Sequence, residues 1–237
     1  MSVRRRRKAI ALAEQLQHPF SIALALSFAT WLEQFCGNVA RVKELAARAM
    51  AHCKMHGFPF WIGWNQVMLG WAAAHEKGTI GDAVSLIHKG LAYWNEKGSN
   101  LGRGYFLCLL AETHMRRDEW AQSMDALSQA QAFTNETDER YWEAERFRLS
   151  GELLMRQGQS SEQAEIFFQQ ALAKARELSA RSLELRAATS LAQLWQRTSK
   201  AVQARELLTT TLEGFEEDGD LPDLVAAREL LSALSGS

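Results

Sequence analysis

The chain has 237 residues, of which 47% are hydrophobic and 23% charged, a balance that supports a folded core and excludes a disordered polyelectrolyte. Its net charge of −1 conceals an asymmetry: Arg4, Arg5, Arg6, Arg7 and Lys8 hold five of the 27 positive charges, leaving 22 against 28 negative ones and a balance of −6 over the rest. An acidic body is a poor non-specific ligand for nucleic acid, and the basic run is short and lacks interleaved aromatics, so it reads as the solvated start of a helix.

In chain order, the apolar periodicity predicts an N-terminal helix over 4–17 and then a repeating pair of helices, termed A and B. The first unit (about 18–57) places A at 19–35 and B at 39–55. The second (58–98) places them at 59–76 and 80–97, and the third (99–138) at 101–116 and 119–133. The fourth (139–179) has A at 140–156 and B at 160–177, and the fifth (180–219) has A at 181–197 and B at 200–217. A capping helix over 222–234 closes the chain. No window alternates long enough to read as a strand, so the expected class is all-α and the expected organisation is one continuous repeat domain over 1–237.

Four sets of positions keep a period of 40 or 41 residues. On the A helices the set is Ala29, Gly70, Ala111, Gly151 and Ala192. On the B helices one set is Val42, Ala83, Ser123, Ala164 and Ala204, joined four residues on by Ala46, Ile87, Leu127, Phe168 and Leu208. The fourth is Ala49, Gly90, Ala130, Ala171 and Thr211. A unit of this length cannot bury its apolar face alone and stacks on its neighbours. The small residues mark close approach of helices, which explains glycine at Gly70 and Gly151 despite its cost of about 1 kcal/mol inside a helix.

Punctuation agrees with this division. Pro19, Pro59 and Pro222 each precede an apolar helical pattern, where a missing N–H costs little. Gly37 and Gly78 fall between A and B, Gly57 and Gly98 follow B helices, and Asp118, Gly158 and Ser199 hold the A-to-B turns of later units.

The pattern of Gly151, Ala164, Phe168 and Ala171 resembles the tetratricopeptide repeat (TPR), with units longer than the usual repeat of about 34 residues. The stretches YWEAERFRLSGELLMRQG (141–158), RSLELRAATSLAQLWQ (181–196) and PDLVAARELLSAL (222–234) resemble the C-terminal repeat region of bacterial signalling proteins that carry a class III nucleotide cyclase domain and a STAND-type ATPase domain. The resemblance implies a right-handed α-solenoid of five hairpins, with the extra N-terminal helix and the capping helix. It implies binding on a concave wall made by the A helices. The chain departs from that group in having neither enzymatic domain and in beginning inside a repeat, at a B-type helix. That absence carries no cyclase or ATPase activity over to it.

On the wall so implied, the second unit places Trp64, Trp71 and His75, and the third Tyr105, Glu112 and Arg116. The fourth places Glu145, Arg148, Glu152 and Arg156, and the fifth Arg186, Gln193 and Arg197. An aromatic end and an arginine-rich end suit a protein or peptide segment with an apolar anchor and acidic groups. Trp64 and Trp71, seven residues apart on one helix face, are the tryptophans expected to touch a partner. A ladder of i, i+3 and i, i+4 ion pairs would equally account for Glu145, Arg148, Glu152 and Arg156.

No phosphate-binding loop, HExxH, GxSxG or GxGxxG motif occurs, so no catalytic residue and no cofactor is expected. His52, Cys53 and His56 bring metal-ligand residue types together, but a fourth ligand is not evident and no metal site is assigned. Three cysteines, odd in number and widely spaced, argue against a disulfide framework and for a reducing cytoplasm. The best apolar run, Ser21 to Leu32, is too short to span a bilayer. An apolar end at Ile10, Leu12, Ala13 and Leu16 leaves room for self-pairing, so a monomer or weak dimer is expected.

These readings combine into a non-catalytic docking or sensory repeat module of a bacterial signalling system. The alternative is an effector-responsive regulatory module of a nucleotide cyclase or STAND ATPase, of which this chain is a detached C-terminal part.

Overall fold

A computed structural model of the protein describes residues 3–76, 80–96, 101–215 and 221–235. Among the described residues every regular element is an α-helix. They are α1 (Val3–Gln15), α2 (Pro19–Phe35), α3 (Val39–His56), α4 (Pro59–His75), α5 (Ile80–Glu96) and α6 (Arg103–Met115). These are followed by α7 (Trp120–Thr137), α8 (Glu143–Arg156), α9 (Ser161–Glu177), α10 (Arg181–Arg197), α11 (Ala201–Leu212) and α12 (Pro222–Ser235). The all-α repeat expected from the periodicity is present. The largest shifts in boundary are at the end of α11, five residues short of the expected 217, and at the end of α7, four residues beyond the expected 133.

Local chemistry sets the helix ends. Pro19, Pro59 and Pro222 occupy first helical positions, as anticipated. Asn38 accepts from the backbone N–H of Arg41 at the start of α3, and Ser160 accepts from that of Gln163 at the start of α9. Left-handed backbone recurs with the repeat: Gly37, Asp118, Gly158 and Ser199 follow A helices, and Gln17, Gly57, Asp138 and Ser179 follow B-type helices. Gly57 shows the reason, since its φ of 72° lets its N–H cap Cys53 O. Gly78 and Gly98 lie outside the described residues.

The chain divides into two compact units, 1–106 and 107–237, the division falling within α6. In the first unit α2 packs on α3, α3 on α4 and α4 on α5. Gly70 and Gly90 let α4 and α5 meet at backbone distance: a methyl on Gly70 would lie 2.8 Å from Ala83 O, and one on Gly90 would lie 2.6 Å from Gly63 O. Asn65 is wholly buried in this unit and fully bonded. Its Nδ2 donates to Ser27 Oγ at 2.7 Å and to Trp61 O at 2.8 Å, while its Oδ1 accepts from Thr30 Oγ1 at 3.2 Å. At the N-terminal end Ile10 and Ala13 are buried, Ile10 with Leu26 and Ala29, whereas Leu12 and Leu16 are exposed. The apolar end expected at these four positions is therefore half covered by the chain itself. Arg4 to Arg7 belong to α1, but their side chains lie outside the described residues.

In the second unit α7 packs on α8, α8 on α9, α9 on α10, and α10 on both α11 and α12. Ser123 Oγ on α7 donates to Ala111 O on α6 at 3.0 Å, so two of the small repeat positions touch directly. The core runs through Phe168, Ala171, Leu191, Leu194, Leu208 and Leu224. The apolar stripes that the period places one repeat apart meet there, which is how stacked units bury what no single unit can.

Candidate functional site

The wall residues of the first unit are mostly interior. Trp64 and Tyr105 are fully buried and Trp71 nearly so. Trp64 meets Trp31 edge-on with ring centroids 4.5 Å apart and Phe106 at 5.2 Å, and Tyr105 Oη donates to Gln34 Oε1. His75 is half-buried, its ring 4.2 Å from that of Trp71 and its Nδ1 2.9 Å from Trp71 O. Partner contact by Trp64 and Trp71 is thus replaced by packing: the large rings fill the spaces between helices of the unit, where burial is worth most. The exposed aromatic side chains of this unit are instead Phe20, Phe28 and Tyr93.

The wall residues of the second unit form a connected charge system. Arg148 grips Glu145 with two hydrogen bonds, Nη2 to Oε1 at 2.8 Å and Nε to Oε2 at 3.0 Å. Arg186 reaches the same Glu145 Oε1 at 3.4 Å and donates through Nε to Asp223 Oδ2 at 2.8 Å, tying α8 and α10 to α12. Glu152 accepts from Ser190 Oγ at 2.8 Å and from Arg148 Nη1 at 3.5 Å. Burial alone would raise the Glu145 carboxyl, but Arg148 and Arg186 outweigh it and hold the group below the usual carboxylate range. Burial would likewise lower the Arg148 guanidinium, and Glu145 reverses that and raises it. The charges of this centre are paired with one another.

Around it lies a more open rim. Glu112, Arg116, Arg148, Glu152, Arg156 and Gln193, together with Met115 and Leu149, line a cavity of about 210 Å³. Arg116 stands 4.0 Å from Glu112, a loose pair. Arg156, Gln193 and Arg197 are exposed, and neither Arg156 nor Arg197 forms an ion pair among the described residues. Arg197 lines a second hollow of about 60 Å³ that shares Glu152 and Gln193 with the first. Six of the expected wall residues are thus gathered on one cavity, Arg197 is next to it, and Glu145 and Arg186 form its support.

Some contributors escaped the sequence reading. Asp223 and Ser190 complete the ion network, and Arg146 is a buried cation on the opposite side of α8. The period held no signal for the first two; it linked only Glu145 and Arg186, which are separated by 41 residues, one repeat. Among the described residues no three His, Cys, Asp or Glu side chains converge as a metal site. Cys53 is wholly buried, while His52 Nε2 lies 2.8 Å from Pro19 O. No helix among the described residues is long and apolar enough to cross a membrane.

No protein-family model and no curated protein matches the chain. Solved structures do match it. One is a chain of nearly identical TPR-like repeats from Podosopora anserina, with a TM-score of 0.51 and 18% identity over 93% of this chain and 99% of that one. Another is a Signal Transduction ATPase with Numerous Domains (STAND) protein with a tetratricopeptide repeat sensor, PH0952 from Pyrococcus horikoshii. That match has a TM-score of 0.59 and 11% identity, covering 98% of this chain and 36% of the other. The fold is therefore that of a TPR-like repeat protein, an all-helical α-solenoid architecture.

Proposed function

We propose that the chain is a non-catalytic repeat scaffold that captures an acidic protein or peptide segment on the arginine-rich rim of its second unit. The observation that carries this reading is the division of labour among the charges. Glu145, Arg148, Arg186 and Asp223 are engaged with one another, whereas Arg156, on the cavity of about 210 Å³, and Arg197, beside it, stand exposed without an ion-pair partner among the described residues. An exposed guanidinium offers a planar fork of donors to a carboxylate. Such a scaffold would serve as a docking or sensory part of a bacterial cytoplasmic signalling system.

The test is fluorescence anisotropy with labelled peptides rich in Glu and Asp, against neutral peptides of the same length. The acidic set should bind the parent chain, and the double variant Arg156→Glu with Arg197→Glu should lose at least about tenfold in affinity. Equal affinity in parent and double variant would remove the rim from the reading.

A second reading is favoured by the likeness to the repeat sensor of a STAND ATPase. In it the chain is an effector-responsive regulatory module of a nucleotide cyclase or STAND ATPase. It calls for a change in the turnover of such an ATPase or cyclase domain when this chain is added, and unchanged turnover would count against it.

A further inference from the structure

Arg146 sits two positions before Arg148 on α8, about 200° round the helix at 3.6 residues per turn, and so belongs to the other face. It is only 8% exposed. Its Nε is buried without a hydrogen-bond partner, and its guanidinium makes no ion pair among the described residues. The guanidinium carbon lies 4.2 Å from the centre of the Phe147 ring. Glu143 attracts it from a distance, but that carboxylate is already engaged by Arg140 at 3.4 Å and Lys174 at 3.7 Å. Burial pulls the Arg146 guanidinium below the ordinary arginine value, a shift that Cys108 and Glu143 only partly offset. A nearly buried cation with no ion-pair contact among the described residues is costly to keep.

The same side chain lines a groove of about 360 Å³ between α7, α8 and α9. Met124, Leu127, Leu153, Leu154 and Phe167 form its apolar walls. Its other polar residues are committed to their own helices: Ser128 Oγ donates to Met124 O at 2.9 Å, Ser150 Oγ to Arg146 O at 3.0 Å, and Gln131 Nε2 to Asn135 Oδ1 at 2.8 Å. Arg146 is the sole charged residue of the lining, and no carboxylate opposes it there. Met124, 57% exposed, stands at the mouth. The volume falls at the lower end of the roughly 300–1,000 Å³ of small-molecule sites, too small for a folded partner.

We infer that this groove is a binding site for a small apolar monocarboxylate, whose carboxylate takes the fork of Arg146 and whose hydrocarbon body lies against Leu153, Leu154 and Phe167. The charge decides the class, because the site provides one cation, no competing anion among the described residues that line it, and apolar walls. The site is separate from the arginine-rich rim and does not rest on the peptide-binding reading.

Octanoate serves as the probe, with octan-1-ol as its uncharged counterpart and acetate as its charge without the tail, each titrated against the full chain by calorimetry. Octanoate should bind at least about tenfold more tightly than either comparator, since both the charge and the apolar body are needed. Arg146→Gln should abolish that preference while leaving octan-1-ol binding unchanged. Met124→Glu, at an exposed position where folding is not at stake, places a carboxylate at the mouth and should weaken octanoate selectively. Octanoate binding equal to that of octan-1-ol in the parent chain would overturn the assignment, as would octanoate affinity that survives both substitutions.

Discussion

Gly151 on α8 faces the ring of Phe168 on α9 so closely that a methyl group added to it would lie 2.5 Å from Phe168 Cε1. Both residues belong to the periodic sets, and Gly70 and Ile87 make the same pair in the first unit, with the corresponding distance 2.6 Å to Ile87 Cγ1. The repeat signature is thus a contact: a small residue on one helix accepts a large one from the next. Phe168 is buried and cannot swing away, and Gly70 also meets the fixed carbonyl of Ala83. Gly70→Ala and Gly151→Ala should each destabilise the protein by about 1–3 kcal/mol, overpacking outweighing the gain of up to about 1 kcal/mol in helix propensity. Chemical denaturation measures it, and a stabilised variant would contradict the close-approach account.

Asn65 should prove as important to the first unit as any apolar residue. Its side chain joins α4 to Ser27 and Thr30 of α2 with no donor or acceptor wasted. Asn65→Ala strands the Ser27 hydroxyl in the interior, while Thr30 Oγ1 keeps its bond to Ser27 O at 2.6 Å, and should cost about 1–3 kcal/mol. Asn65→Leu should be no better, since it removes the same bonds and adds branching. A loss below about 0.5 kcal/mol in urea unfolding would show that the network is not needed.

Repeat length and helix order were legible because packing in a solenoid is periodic, so the same small position must return wherever two helices touch. The left-handed turns at Asp118, Gly158 and Ser199 were legible for the same reason. Asn65 was not, because a polar residue next to Trp64, followed by another in Gln66, carries no sign of its partners 35 and 38 residues away. The tryptophans misled in the opposite direction. Trp64 and Trp71 share a helix face, as spacing requires, but spacing cannot say whether that face meets solvent or neighbouring aromatic rings. The charges of α8 were visible as an i, i+3, i+4 ladder, while their tertiary partners Ser190 and Asp223 were not.

The three thiols should react at widely different rates. Cys53 and Cys108 are fully buried, and burial pushes the Cys53 thiol up to about 11 and that of Cys108 further still. Cys36, at the end of α2, is only partly covered. Since the thiolate is the reactive form and must be reached, a disulfide reagent at pH 8 should modify Cys36 first and the other two only as the protein unfolds. Peptide mapping after brief labelling identifies the site. Early modification of Cys108 would mean that α6 opens locally in the native protein.

Glu145 should make the second unit acid-sensitive. Its carboxyl is held below the usual carboxylate value of 4.5 in the folded chain, despite burial, by Arg148 and Arg186. A group depressed in this way contributes stability that is fully present above the unfolded value and disappears as pH falls through the folded one, because the unfolded chain then binds the extra proton. Stability should therefore decline as pH falls below about 4.5, with Arg148 and Arg186 left facing each other across a neutral carboxyl and holding only Glu152 and Asp223. Glu145→Gln should reproduce that loss at neutral pH, costing about 2–4 kcal/mol, since breaking a buried pair leaves its cations only partly compensated, by Glu152 and Asp223. It should also flatten the acid limb, because the titrating group is gone. Urea unfolding of both proteins between about pH 3 and pH 7 separates the two effects. An acid limb of the same slope in Glu145→Gln would place the sensitivity elsewhere, in carboxylates such as Glu165, which burial raises but which Lys200 and Trp195 hold low.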